Sequence, residues 1–138
     1  MQYFFNWIGG SRRTGDQLIS MNPNLSRIVI YKKTLELMEK KARQDLKFVR
    51  LGVTDKRPKA FWIMPCAEGD EGALKVHITG NTRMISAKSL FNKLEEKGWY
   101  NPKEKNNPKE KTDQFPADWD EENKGIKVDL AEKPSPKV

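Results

Sequence analysis

The sequence predicts an α+β domain in which two βαββ repeats form a small β-barrel-like body with two short helices, flanked by flexible termini. Three observations predict it. Apolar residues alternate at strand spacing in several short runs, and only two stretches change to the helical period. The order of runs is the same in both halves: Leu18 falls on Leu74, Val29 on Ile85, Leu35 on Phe91 and Met38 on Leu94, each 56 positions on. Finally, 138 residues with 36 % hydrophobic content suit one domain, or two small units sharing a core.

Residues 1–16 read as an N-terminal arm, because Gly9, Gly10 and Gly15 break any helix. Tyr3, Phe4, Phe5, Trp7 and Ile8 are too apolar to stay in water. Residues 3–8 are therefore expected to dock on the protein's own core, on a second subunit or on a protein partner.

The first unit spans 17–65. Leu18-Ile19-Ser20-Met21 reads as a strand, Asn22-Pro23-Asn24 as a turn, and Arg27-Ile28-Val29-Ile30-Tyr31 as a β-branched strand. Leu35, Met38, Ala42 and Leu46 recur at helical spacing and predict a helix over 33–46, with Lys40, Lys41 and Arg43 on its other faces. Phe48 to Val53 and Ala60 to Met64 then form a hairpin.

An acidic, glycine-containing linker at 66–73 leads to the second unit, 74–130. Leu74 to Ile78 and Arg83 to Ser86 read as strands, and Ala87 to Lys97 as a helix with Ser86 as N-cap and Gly98 as terminator. Phe115 to Trp119 and Gly125 to Leu130 complete its hairpin. Between helix and hairpin, Asn101-Pro102-Lys103-Glu104-Lys105 is repeated as Asn107-Pro108-Lys109-Glu110-Lys111, so 101–112 reads as an inserted loop. Residues 131–138 read as a disordered tail.

The net charge of +7 is unevenly placed. Residues 25–65 carry eleven Lys/Arg against four acids, whereas 1–24 sum to +1, 66–100 to zero and 101–138 to −1. A one-sided positive field attracts polyanions. An ordinary lysine-rich solvated surface and an acidic protein partner are the alternatives.

Each unit carries a short signature where strand meets helix, Arg27-Ile28-Val29-Ile30-Tyr31-Lys32 and Arg83-Met84-Ile85-Ser86-Ala87-Lys88. This resembles the swapped-hairpin transcription factors of the AbrB, MazE and MraZ kind, over about residues 18–64 and 74–130. Tyr31 and Ala87 stand where that family usually has proline, and Ser26 and Thr82 where it commonly has glycine. The resemblance implies units that exchange hairpins, here within one duplicated chain, as a monomer or a homodimer. It also implies DNA binding, as a transcriptional regulator or nucleic-acid accessory factor. Arg27 and Arg83 match the family's arginine, and Lys32 and Lys88 its lysine; the alternative is that they solvate a helix entrance. Lysine and arginine neutralise phosphates, and arginine also reads guanine edges.

Charge alone adds Arg50, Lys56, Arg57 and Lys59 around the first hairpin, although a lysine-rich hairpin also protects a sheet edge. Arg12 and Arg13 lie on the glycine-flanked arm and suit a groove. Duplex DNA is the expected nucleic acid. A single-stranded partner stacking on Phe48, Phe61 or Trp62 is the second form of the same reading, against core packing of those rings. The rival from another class is a structural or interaction protein of viral or mobile-element origin, docking on a larger assembly through the aromatic arm.

No enzyme is expected. One cysteine, Cys66, and one histidine, His77, do not make a structural zinc site, and nothing marks an orienting partner for a catalytic pair. Asp118, Asp120, Glu121 and Glu122 form the densest acidic cluster, expected to be a solvated turn rather than a metal site. No cofactor motif is present; Gly9-Gly10 followed by Gly15 lacks the lysine of a phosphate loop. No apolar run approaches the ~20 residues that span a bilayer, so no membrane role is expected. The lone cysteine and the absence of a signal-like opening make the cytoplasm the expected location.

Overall fold

The structure, a computed structural model, describes residues 18–23, 25–100, 113–130 and 135–136. The arm at 1–16, the whole inserted loop 101–112 and most of the tail lie outside them.

Leu18–Asn22 (β1) turns back into Arg27–Ile30 (β2) through an Asn22 side chain that accepts the Leu25 N–H at 3.2 Å. Tyr31 then starts the helix Lys32–Ala42 (α1). Thr34, Leu35 and Met38 are its buried residues, and the Thr34 hydroxyl donates to the Leu18 carbonyl at 2.7 Å, pinning the first turn to β1. The helix ends four residues before the apolar spacing predicts. Arg43 adopts the left-handed conformation (φ 58°), and the Glu39 carboxylate accepts the Leu46 N–H at 2.8 Å. Leu46 is buried beyond the helix, so its spacing reflected the core and not another turn.

Phe48–Gly52 (β3) and Ala60–Cys66 (β4) form the first hairpin. Leu74–Lys75 (β5) and His77–Thr79 (β6) are separated only by Val76, and Thr82–Ser86 (β7) follows. Lys88–Glu96 (α2) buries Leu90, Phe91 and Leu94. Its N-cap is Ala87, with no side-chain cap, so Ser86 does not cap it: that residue is the last of β7, opposite Arg27. Gly98 (φ +71°) ends the turn, with its N–H on the Glu95 carbonyl at 3.0 Å. Asp113–Asp120 (β8) and Gly125–Asp129 (β9) form the second hairpin. Ser135–Pro136 (β10) lies along β8 where a loose tail was expected.

These strands make one antiparallel sheet in the order β5-β3-β4-β9-β8-β1-β2-β7-β6, with β10 on β8. Its two ends, β5 and β6, are consecutive in sequence, so residues 74–79 bring the ends together and the sheet is a nearly closed barrel. Each hairpin that follows a helix is bonded to strands of the other half of the chain. β3 pairs with β5, β8 with β1, and β4 with β9.

The interior is filled by the alternate residues that period-two strands send inward. Ile19, Met21, Ile28, Ile30, Phe61, Ile63, Ile85, Phe115, Ala117, Ile126 and Val128 are all 0–1 % exposed. Truncating Phe61 or Phe115 to alanine in such a site costs about 3–5 kcal/mol. Tyr100 closes the floor beyond α2 by packing between Phe91 and Phe115, with ring centroids 6.2 and 6.1 Å away.

The helices correspond at the predicted offset, since Thr34, Leu35 and Met38 sit 56 positions before Leu90, Phe91 and Leu94. The strands before them do not. In the β2·β7 ladder Ile28 faces Ile85, 57 positions on, while Arg27 faces Ser86 and Arg83 faces Ile30. One residue fewer separates the buried strand position from α2, and a one-residue slip sends every side chain to the other face of a strand.

Candidate nucleic-acid interface

That slip separates the two signature arginines. Arg27 is exposed on the outer face of the ladder, in the same row as Val29, Met84 and Ser86. Arg83 shares the row of Ile28, Ile30 and Ile85, and its guanidinium donates to the carbonyls of Thr82 at 3.0 Å and Gly80 at 3.5 Å. The arginine carried over by resemblance is thus an open surface group in one half and a turn-bracing group in the other. Lys32 and Lys88 are both exposed first residues of their helices.

The first half presents its whole cationic excess to solvent. All eleven Lys/Arg between residues 25 and 65 are exposed. Among the described residues only two of them have ion-pair partners, Lys41 with Glu121 at 4.0 Å and Arg57 with Asp129 at 3.4 Å. Two of the four acids in that stretch are engaged elsewhere: Glu39 on the Leu46 N–H, and Asp55 with Lys97 at 2.8 Å, whose ammonium holds the Asp55 carboxyl below its ordinary range.

The helix concentrates this charge. At about 100° per residue, Lys32, Glu36, Lys40 and Lys33 fall within an arc of about 100°, opposite the buried Thr34, Leu35 and Met38, and the exposed Arg43 follows at the C-cap. Three cations thus share a face with one acid. Lys33, Lys40 and Arg43 are absent from the residues picked by motif and hairpin charge. The helical period places Lys40 and Arg43 away from the buried stripe, but neither belongs to the strand–helix signature nor to the hairpin. The matching arc of α2 holds Lys88, Asn92, Glu96 and Ser89, one cation against one acid.

A second group surrounds the first hairpin. Arg50 and Phe48 lie on the outer face of β3, and Lys75 stands opposite Phe48 on β5. Lys56 and Lys59 are exposed in the turn between β3 and β4, where Lys59 is left-handed (φ 61°) and its carbonyl accepts the Leu130 N–H at 2.7 Å. Phe61 is fully buried, and Trp62 is 8 % exposed with its indole N–H on the Asp120 carboxylate at 2.8 Å. Both rings belong to packing; Phe48 is half-buried. Arg12, Arg13 and the aromatic residues 3–8 lie outside the described residues.

The acidic turn is knotted to its own neighbours. Asp120 accepts from Asn123, Trp62 and the Glu122 N–H, and Glu121 accepts from Lys124 at 2.7 Å and Trp119 at 2.7 Å. These bonds pull both carboxyls below the usual range, Asn123 being the main cause for Asp120 and Lys124 for Glu121. Among the described residues no group of three or more His, Cys, Asp and Glu side chains is placed to hold a metal ion. Burial and then Asp70 push the Cys66 thiol upward, against the thiolate a nucleophile needs. No described helix is long and apolar enough to cross a membrane. Comparison with protein-family models, curated proteins and solved structures finds no match to this chain.

Proposed function

We propose that the protein is a non-enzymatic, cytoplasmic nucleic-acid-binding protein that binds the phosphate backbone of duplex DNA with the outer face of α1. The observation that carries this is the exposure of all eleven cations of residues 25–65, with Lys32, Lys33 and Lys40 gathered on one helix face and Arg43 at its C-terminal end. A helix face of that kind follows a phosphate row, and each neutralised phosphate releases condensed counterions. Arg27, Arg50, Lys56, Arg57 and Lys59 extend the cationic surface. Phosphate contacts of this type position a protein without reading sequence, so regulation of transcription requires base contacts in addition.

The tandem, hairpin-exchanging architecture belongs to the same proposal. What supports it is the ladder order, which stays unchanged when β1, β2, β3 and β4 trade places with residues 74–79, β7, β8 and β9. The shared burial pattern of the two helices supports it too.

The test is titration of a fluorescent duplex at several salt concentrations. At ~50 mM salt the protein binds, and its affinity falls linearly on a log–log plot as salt rises. The triple variant Lys32→Glu/Lys40→Glu/Arg43→Glu, altered only at exposed positions, loses affinity while keeping its melting transition. Failure of the native protein to bind at ~50 mM salt, where phosphate contacts are favoured, rejects the proposal.

A further inference from the structure

The nearly closed sheet has a seam. Leu74–Lys75 is bonded only to β3 and His77–Thr79 only to β7, so no ladder joins β5 to β7. A cavity of about 570 Å³ opens there, between the end of β3, β5 and the first turns of α2. That volume lies in the ~300–1,000 Å³ range of small-molecule sites, which favour the mouths of barrels.

Leu51, Val53, Leu74 and Leu90 give the cavity an apolar wall, and the exposed Lys88 and Lys93 complete it. No acidic side chain is in its lining. Among the described residues neither lysine has an ion-pair partner. The equivalent place in the first half is shut. There β1 is bonded along both edges, to β2 and β8, and Thr34, at the position matching Leu90, is fully buried with its hydroxyl on Leu18.

We propose that this cavity binds a small amphipathic anion, an alkyl or aryl carboxylate. Its tail lies among the leucines and Val53, and its carboxylate lies between Lys88 and Lys93. Apolar surface leaving water drives the tail inward. The head meets two ammonium groups with no acidic side chain in the lining, an arrangement that repels a cationic head of the same size. The Asp55 carboxylate, which Lys93 also attracts, is ion-paired with Lys97. The proposal rests on the cavity alone and is independent of the nucleic-acid reading.

The experiment uses decanoate and decyltrimethylammonium as probes, with methyl-labelled protein read by NMR and affinities by calorimetry. Decanoate is expected to shift the Leu51, Leu74 and Leu90 methyls to saturation at one site, and the cationic amphiphile to leave them in place. In Lys88→Glu/Lys93→Glu, altered only at exposed positions, decanoate binding weakens by about tenfold or more. Non-saturating shifts, equal response to both probes, or unchanged affinity in the double variant overturns the proposal.

Discussion

The two helices of this protein bury the same pattern and expose different ones. α1 packs Thr34, Leu35 and Met38 beneath Lys32, Lys33 and Lys40, while α2 packs Leu90, Phe91 and Leu94 beneath an arc with one cation and one acid. The difference teaches that the core dictates the inner stripe and leaves the outer face free. A cationic outer face on only one helix is therefore a separate property of the chain, with no structural necessity behind it. Their exits differ in the same sense. A left-handed residue follows each helix, but it is Arg43 after α1 and Gly98 after α2.

The sharpest way to break the comparison is to separate the halves. Each half lends its hairpin to the other, so fragments 1–69 and 70–138 should each lack a cooperative melting transition and regain one on mixing. A cooperative transition in either fragment alone would show that exchange is not essential.

Next in size is the charge on the helices. The triple α1 variant should lose about a hundredfold in duplex affinity at low salt, with the salt slope falling by about three. Conversely, Asn92→Lys/Glu96→Lys gives α2 a face like that of α1 and should raise affinity by up to about tenfold. An unchanged titration in both variants would place the contact surface elsewhere.

Two glycines on the hairpins separate by a smaller margin. A Cβ at Gly125 would lie 2.6 Å from Met64 Cγ and 2.8 Å from the Ile63 carbonyl oxygen, so backbone must move. At Gly52 the nearest atom, at 2.9 Å, is the terminal methyl of Met64, which swings aside. Gly125→Ala should cost about 1–3 kcal/mol in chemical denaturation, and Gly52→Ala less than about 1 kcal/mol.

The helix exits give the next effect. Arg43→Gly relieves a strained side-chain-bearing residue and should stabilise the fold by about 0.5–1 kcal/mol while weakening duplex binding. Gly98→Ala should destabilise by about 1 kcal/mol. Opposite signs for stability and binding at Arg43 would mark a residue retained for its charge.

The smallest expected effect is alkaline sensitivity in the second half. The Tyr100 hydroxyl donates to Asp113 at 2.6 Å, and burial first, then that carboxylate, push the phenol well above its ordinary value. A group whose folded pKa is raised binds its proton more tightly when folded. Its contribution is whole below the unfolded value, about 10, and declines as pH rises beyond it. Melting temperature should therefore fall above pH ~10 in the native protein, and less so in Tyr100→Phe.

Most strands were legible because alternation is local: Arg27-Ile28-Val29-Ile30 reads correctly from four residues. The end of α1 was not, since Leu46 keeps helical spacing while Glu39 captures its backbone N–H across a bend. Nor was the non-equivalence of Arg27 and Arg83. Their sequence context matches, but the ladder places Ile28 against Ile85 and rotates one arginine off the outer face. Which strands would neighbour one another rests on contacts such as Leu18 with Pro116, nearly a hundred residues apart and invisible to any window. Of the proposed interface, the excess charge of residues 25–65 was plain. Its gathering on one helix face needed the helical period applied to lysines instead of leucines.

The stretch 74–79 serves as both margins of the sheet, with Val76 as the pivot whose N–H is taken by the Lys47 carbonyl at 2.9 Å. Open sheets present rows of unsatisfied peptide groups that recruit further chains into fibrils. Here the described margins are a two-residue and a three-residue strand divided by Val76, too short to template such growth. The described sheet therefore offers little free edge at either end of its ladder for a further strand to extend.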